Sequence, residues 1–400
     1  MDGAILREKE RDRSAGREIA GKPIMRVLQL ISSGGYYGAE AVVVNLSRQL
    51  EALGAHSVLA AFHNAHRPNL EVAQVARQQG VTVEIIPCQG RFDRKTIDSI
   101  RELLRRGDYE VLHTHGYKAH IYGYLAARKG PWALVATCHG YHSRFATWGA
   151  RLRKSMYAAL ESFLLRRFRR VIAVSPLLVE PLRKAGVLPE RLAVIANGVE
   201  VERFASVAAS ADLEATKAGR LAVGVVGRLT EGKGHAILLA TARRLLEKHA
   251  NVVFFVIGDG PLRQSLQGAA EAMRINENVI FTGRRDDMAA VYAALDIVVL
   301  PSFFEGLPVV VLEAWAAGKA LVASRVGAIP AIVREGETGL LVEPRDGSGL
   351  ESALSRLLDD AQLRNTLGKN GHSLVREQFS AEGMARAYLN VYQDAVRQAG

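Results

Sequence analysis

Four hundred residues, 48% of them hydrophobic, exceed one ordinary core and point to two domains. No apolar run approaches the roughly 18 residues of a membrane-spanning helix, and 6% aromatic content without a helix-turn-helix, zinc or RNP-type signature argues against nucleic acid. The formal charge of +11, from 52 Lys and Arg against 41 Asp and Glu, suits anionic partners such as nucleotides or phospholipid surfaces.

Residues 1–22, "MDGAILREKERDRSAGREIAGK", mix charges without an apolar segment and read as a disordered arm, not a signal peptide. Short β-rich runs follow: "IMRVLQLIS", "HSVLAAF", "VTVEIIP", "YEVLHTH", "ALVATCHG" and "RVIAVS" alternate with helical stretches between Ala39 and Gly186. That pattern predicts a doubly wound parallel sheet over 23–205. The polar, weakly periodic "SVAASADLEATKAG" reads as a linker, 206–219. The alternation restarts at "RLAVGVVGRL" and runs through "NVVFFVIGDG", "NVIFTG", "DIVVLPS" and "KALVAS", which predicts a second Rossmann-like domain over 220–379. Ser380 opens a terminal helix, 380–400, with apolar Met384, Tyr388, Val391 and Tyr392 on one face. Cys88 and Cys138, without a CxxC, supply neither a metal site nor a disulfide framework and fit a reducing cytoplasm.

Ligands of such sheets sit beyond the carboxyl ends of the strands. After the first strand, "SSGGYYGAE" places Gly34 and Gly35 where the backbone can approach an anion ahead of a helix; a tight turn explains them equally. In the second domain "GRLTEGKG" brackets a loop with Arg228 and Lys233, two cations for a pyrophosphate or two solvated surface charges. "GDGPL" is a loop or a simple turn. In "FFEGLPVVVLEAWAAGKALVAS" two carboxylates, Glu305 and Glu313, stand in an apolar, small-residue stretch, where an unpaired charge costs several kcal/mol and calls for a partner or a ligand. Pro308 keeps Leu307 extended and lets a helix start, so Glu305 falls in a loop and Glu313 about a turn into the helix.

In order, "GRLTEGKG", "GDGP", "FTG", "PSFFEGLPVVVLEAWAAGKALVAS", "VGAIP" and "GETGLLV" resemble the nucleotide-sugar domain of the retaining glycosyltransferases of family 4, the group 1 glycosyltransferases, which have the GT-B architecture of two Rossmann-like domains facing a cleft. "NGV" at Asn197–Val199 and "GGYYGAE" fit the same family. The resemblance covers nearly everything after residue 24, with an acceptor-side first domain, a nucleotide-sugar-binding second domain and a terminal helix returning to the first. Gly232 and Ala331 depart from it, standing where relatives carry acidic residues.

By this resemblance Glu305 and Glu313 form the E-x7-E pair. Glu313 accepts from the donor ribose hydroxyls and Glu305 from the transferred sugar, with backbone N–H groups of Gly306 and Leu307 as further contacts. Arg228 and Lys233 stabilise the leaving pyrophosphate, so the expected chemistry uses no metal, no cofactor and no enzyme nucleophile. His139, in a Thr-x-His segment, is either a donor-sugar contact or structural, and His115 reads as a satisfied core histidine. The implied reaction moves a sugar from a UDP- or GDP-sugar to a saccharide acceptor.

From Arg144 to Arg170 the chain carries Arg144, Arg151, Arg153, Lys154, Arg166, Arg167, Arg169 and Arg170 against the single acid Glu161, with Trp148, Leu152, Met156, Leu160 and Phe163 at helical spacing. The stripe reads as the sheet-packing face of an ordinary domain helix, and the charges as either solvated or a basic flank for an anionic surface. Each cation near an anionic surface contributes about 1 kcal/mol. Family members acting on lipid-linked acceptors use a comparable region. The expectation is therefore peripheral, salt-sensitive binding to the inner face of a bacterial membrane and a lipid-linked acceptor, in surface polysaccharide or lipopolysaccharide assembly. A GT-B-fold nucleotide-sugar epimerase, or transfer to a soluble acceptor, is the alternative. An NAD-dependent oxidoreductase fits poorly, because "GGYYGAE" lacks the GxGxxG spacing.

Overall fold

Residues 25–66, 68–90, 93–140 and 159–398 are described by the computed structural model; the arm assigned to 1–22 lies outside them. Seven strands, β1 (Arg26–Ile31), β2 (His56–Asn64), β3 (Thr82–Cys88), β4 (Val111–His115), β5 (Ala133–Cys138), β6 (Arg170–Ala173) and β7 (Leu192–Val194), form one sheet in the order β3-β2-β1-β4-β5-β6-β7. Six more, β8 (Leu221–Val226), β9 (Val252–Ile257), β10 (Val279–Gly283), β11 (Ile297–Leu300), β12 (Ala320–Ser324) and β13 (Leu340–Val342), form a second in the order β10-β9-β8-β11-β12-β13. Both sheets are parallel. Each reverses direction of winding at its first strand, between β1 and β4 and between β8 and β11, and at such points the diverging crossovers leave a crevice for ligands.

The strands are apolar because helices cover both faces. In β9, "VVFFVI", every residue is buried. Helices show the complementary pattern. Arg94–Arg106 buries Thr96, Ile100, Leu103 and Leu104 beneath a charged outer face, and Asp93 caps it by accepting from the Lys95 amide. The three-residue strands β7 and β13 were absent from the sequence expectation, being too short to show a period. The stretch read as a linker, 206–219, contains the helix Ala211–Lys217, whose Leu213 is buried in the second domain's core beside Phe204 and Tyr292.

The chain crosses between domains twice, and the crossings run side by side. The Val199 amide donates to the Phe379 carbonyl at 2.9 Å, and the Ala381 amide to the Val199 carbonyl at 2.9 Å. A Cβ on Gly198 would lie 2.6 Å from the Ser380 carbonyl oxygen, so the "NGV" glycine permits this contact. Beyond it, Ser380 caps the helix Ala381–Arg397 through the Gly383 amide. Its buried Met384, Ala385, Tyr388 and Tyr392 join one apolar cluster with Val27, Val42, Leu46 and Val135 of the first domain. Leu307 and Ala328 of the second domain are likewise buried in a first-domain cluster. The loop holding Glu305 is thereby held by both halves.

Candidate active site

A cavity of about 660 Å³ opens between the two sheets, lined from strand ends on both sides. Tyr36 and Tyr37 come from the segment after β1, His139 from the end of β5, Gly227 and Lys233 from the loop after β8, and Glu305 to Pro308 from the loop after β11. Both topological switch points therefore contribute to one space.

Lys233 Nζ donates to Glu305 Oε1 at 2.7 Å. The Glu305 side chain is 8% exposed, so this pairing, with cavity water or a ligand, is what allows a carboxylate there. Its loop is held in place by close backbone packing. Gly327 has φ +55°, and a Cβ there would lie 1.9 Å from the Glu305 carbonyl oxygen; on the other side, a Cβ at Gly306 would lie 2.8 Å from the His139 carbonyl oxygen. The Asn197 side-chain amide donates to the Leu307 carbonyl at 2.9 Å, tying the loop to the interdomain crossing.

Glu313 lies about one turn into the helix Val309–Ala316. Burial raises its pKa, against the opposing effects of the Tyr292 hydroxyl, which donates to Oε2 at 2.8 Å, and of the Arg203 charge. Oε1 can accept from a ligand hydroxyl. Arg284 reaches the first domain and pairs with Glu71, while Arg285 is held by Asp287 and Asp212, which raise its pKa further. His139 is pushed down to about 4 by burial and is a neutral imidazole at pH 7. Among the described residues no group of three or more His, Cys, Asp or Glu is arranged to hold a metal ion.

The sequence family described as Glycosyltransferase Family 4 matches residues 36–203, and that described as Glycosyl transferases group 1 matches residues 220–360, most of the chain between them. The chain belongs to the family 4, group 1 glycosyltransferases. A UDP-Gal:alpha-D-GlcNAc-diphosphoundecaprenol alpha-1,3-galactosyltransferase of Escherichia coli is 29% identical to this glycosyltransferase over 313 residues, 76% of this chain and 80% of the relative. A D-inositol 3-phosphate glycosyltransferase of Corynebacterium efficiens is 29% identical over 410 residues, covering 92% and 93%. The solved structure of Anabaena Alr3699/HepE in complex with UDP-glucose superimposes with a TM-score of 0.80 at 21% identity, over 92% of this chain and 100% of that one, and shares the GT-B fold.

Of the residues singled out in the glycosyltransferase sequence, His139, Lys233, Glu305, Gly306, Leu307 and Glu313 line the cavity together. Arg228 is exposed and not among the lining residues; its guanidinium sits 5.2 Å from the ring centroid of Tyr37, a cation–π contact across the cleft mouth. Gly34 and Gly35 do not line the cavity either. The Gly35 amide donates to Ser33 Oγ at 3.0 Å instead of facing a ligand, and a Cβ there would lie 2.5 Å from the Tyr37 ring. Sequence reasoning missed Tyr37, Arg203, Arg284 and Tyr292. A residue that holds Glu313 from 21 positions away leaves no local pattern.

The basic region divides. Arg144, Arg151, Arg153, Lys154, Trp148, Leu152 and Met156 fall outside the described residues. Arg166, Arg167, Arg169 and Arg170 precede or open β6, at the edge of the sheet where strands begin, and so lie away from the cavity at the strand ends. Arg166 donates to the Ala185 carbonyl, Arg167 to that of Phe163, and Arg169 and Arg170 to Gln398. No described helix is long and apolar enough to cross a membrane.

Proposed function

We propose that this glycosyltransferase moves a sugar from a nucleoside diphosphate sugar to a lipid-linked saccharide acceptor with retention of anomeric configuration and without a metal or other cofactor. The observation that carries the reading is the convergence of Lys233, Glu305, Glu313 and His139 on one interdomain cavity. Glu313, buried beside Tyr292, accepts ribose hydroxyls; Glu305 and His139 face the transferred sugar; Lys233, with Arg228 swinging in from Tyr37, offsets the phosphates. The bond from the sugar's anomeric carbon to the phosphate oxygen breaks, the acceptor oxygen bonds to that carbon on the same face, and the acceptor's proton goes to the leaving phosphate. Positive charge at the leaving group lets this proceed without an enzyme nucleophile.

The donor is identified by thermal shift with UDP-, GDP- and ADP-sugars, since a bound ligand stabilises the fold by mass action. Nucleoside diphosphate should then be released only when an acceptor is added; release without acceptor, or interconversion of the sugar, would favour the epimerase alternative. Activity should survive EDTA. A loss of activity reversed only by divalent ions would contradict the leaving-group account.

The lipid-linked acceptor and peripheral placement on the inner face of a bacterial cytoplasmic membrane, in polysaccharide or lipopolysaccharide assembly, are supported by the name of the Escherichia coli relative and by the basic excess of 144–170. Co-sedimentation with anionic and neutral liposomes tests the placement. Equal binding to both at low salt, or no loss on neutralising Arg166, Arg167, Arg169 and Arg170, would turn the reading toward a soluble acceptor.

A further inference from the structure

Behind the cavity the first sheet contains an unbroken line of buried polar side chains that ends on the terminal helix. Each link is within hydrogen-bond distance: His139 Nε2 to His115 Nδ1 at 3.1 Å, His115 Nε2 to Gln29 Oε1 at 2.8 Å, Gln29 Nε2 to the Tyr392 hydroxyl at 3.3 Å, and that hydroxyl to His113 Nδ1 at 2.7 Å. From His113 a side branch continues through Nε2 to Thr137 Oγ1 at 2.7 Å and from there to the Tyr388 hydroxyl at 3.1 Å. Gln29, His113, His115, Tyr388 and Tyr392 are all at most 2% exposed. Such groups keep their place only when every donor meets an acceptor.

The line has a direction. Gln29 Oε1 can only accept, so His115 carries its proton on Nε2 and leaves Nδ1 as a lone pair. That lone pair requires His139 to carry its proton on Nε2 and to leave Nδ1 as an acceptor. His139 Nδ1 is buried and has no hydrogen-bond partner in the protein, and His139 lines the cavity. At the far end the Gln29 amide donates to Tyr392, whose hydroxyl donates to His113 Nδ1. All three histidines are held neutral by burial, so none supplies a second ring proton near neutral pH.

We infer that Tyr392, Gln29 and His115 are positioning residues for His139: acting in line, they fix its imidazole as the Nε2–H tautomer, so that the terminal helix sets the polarity of the sugar end of the donor site. This rests on the donor-site reading of the cavity. It explains why a helix at the end of the chain crosses back to the acceptor-side domain with a buried hydroxyl at Tyr392 where phenylalanine would pack as well. His139 Nδ1 is closed to solvent in this structure, so a sugar hydroxyl donates to that lone pair only once the ring or its covering neighbours shift as the donor binds; the other tautomer would present a second donor and meet that hydroxyl's oxygen instead.

Long-range proton–nitrogen NMR on the full chain labelled with ¹⁵N-histidine reads the tautomer in the absence of substrate. His139 is expected as a single Nε2–H form in the wild type. Tyr392→Phe and Gln29→Met should mix its tautomers, whereas Tyr388→Phe, which removes an equally buried hydroxyl of the same helix from the side branch, should leave His139 unchanged. With the donor found by thermal shift, Gln29→Met should lower kcat about tenfold while binding of the nucleoside diphosphate alone stays within about twofold. An Nδ1–H form of His139 in the wild type would mean that the Gln29 amide is turned round, and overturns the assignment. So would unchanged tautomers in both Tyr392→Phe and Gln29→Met, or an equal effect of Tyr388→Phe. Failure of every sugar nucleotide to bind would undo the donor reading while leaving the tautomer result standing.

Discussion

Lys233 and Glu305 lie 2.7 Å apart across the cavity wall, one from the loop after β8 and the other from the loop after β11. The family resemblance implies separate tasks for these two residues, a phosphate contact for Lys233 and a sugar contact for Glu305, yet the structure makes them each other's partners. Their charges offset, so an anion approaching Lys233 shares it with a carboxylate, and a sugar hydroxyl approaching Glu305 shares it with an ammonium. A ligand that supplies both a phosphate and a hydroxyl satisfies both sides. One that supplies phosphate alone does not.

Glu305→Gln should therefore separate binding from catalysis. Removing the carboxylate leaves Lys233 wholly available, and a nucleoside diphosphate without sugar should bind more tightly by about 1 kcal/mol, roughly fivefold. Turnover should fall, because the amide is a weaker acceptor for the sugar. Calorimetric titration beside steady-state kinetics checks this; parallel loss of both quantities would show that the pair is only a structural brace.

The position of Glu305 depends on a residue 22 places later. Gly327 takes a left-handed φ of +55° with its missing Cβ aimed at the Glu305 carbonyl oxygen, 1.9 Å away. Gly327→Ala should add roughly 1 to 2 kcal/mol of backbone strain and push the loop outward by steric overlap. The expected result is a lowered Tm and a kcat/KM reduced more than tenfold, by loss of aligned contacts. Full activity in this variant would mean that the loop position is unimportant for catalysis.

Much of this site was legible beforehand because its residues lie at strand ends, where a period-2 run stops and glycine or charge begins. Glu305, Glu313 and Lys233 stand out for that reason: charge in an apolar stretch, and a cation between glycines. What was not legible is long-range. Arg228 has the right spacing for a phosphate, but its guanidinium rests on Tyr37 of the other domain, 191 positions away. The glycines at 34 and 35 look like an anion cradle, but Ser33 takes the Gly35 amide and Tyr37 fills the space a side chain at 35 would need, while a side chain at 34 would meet nothing. His115 reads correctly as a core histidine with its partners satisfied, yet that label conceals a line of bonds reaching the last helix. Spacing reports the period of an element and is silent about which element lies across from it. The short helix in the interdomain stretch escaped for a related reason, since one buried leucine, Leu213, makes no period.

Acid should destabilise the fold across the range in which unfolded histidines take up protons. Burial pushes His139 and His235 down to about 4 and holds His113 and His115 well below their usual value. Unfolded, these rings bind protons below about pH 6.5, so between pH 4 and 6.5 the unfolded chain carries more protons than the folded one. Stability then rises with pH across that window and is lost on acidification, by up to about 1.4 kcal/mol per pH unit for each ring. Glu161 works in the opposite sense. Burial raises its carboxyl to about 7, so its contribution is greatest below its unfolded pKa and declines as pH rises toward 7. Urea unfolding near pH 5 and pH 7.5 should show the wild type less stable at the lower value, and Glu161→Gln should make the difference larger. A flat profile in both proteins would contradict the burial of the histidines.

Removing the terminal helix, residues 381–400, should damage the first domain although the cut is made after the second. The second sheet does not need the helix to close its own core: the apolar clusters around β8 to β13 draw on residues up to Phe379. The first sheet does need it, because Met384, Ala385, Tyr388 and Tyr392 cover Val27, Val42, Leu46, Val135 and Ile172. Each large side chain so buried contributes about 1.5 to 3 kcal/mol, and the loss also leaves His113, Thr137 and Gln29 without the hydroxyls they meet. Hydrogen exchange resolved by segment distinguishes the halves. Amides of β1, β4 and β5 should exchange faster in the truncated chain, those of β8, β9 and β11 should remain protected, and sugar transfer should be lost. Unchanged protection in β1, β4 and β5 would mean that the helix merely rests on the first domain, and retained activity would remove it from the catalytic account.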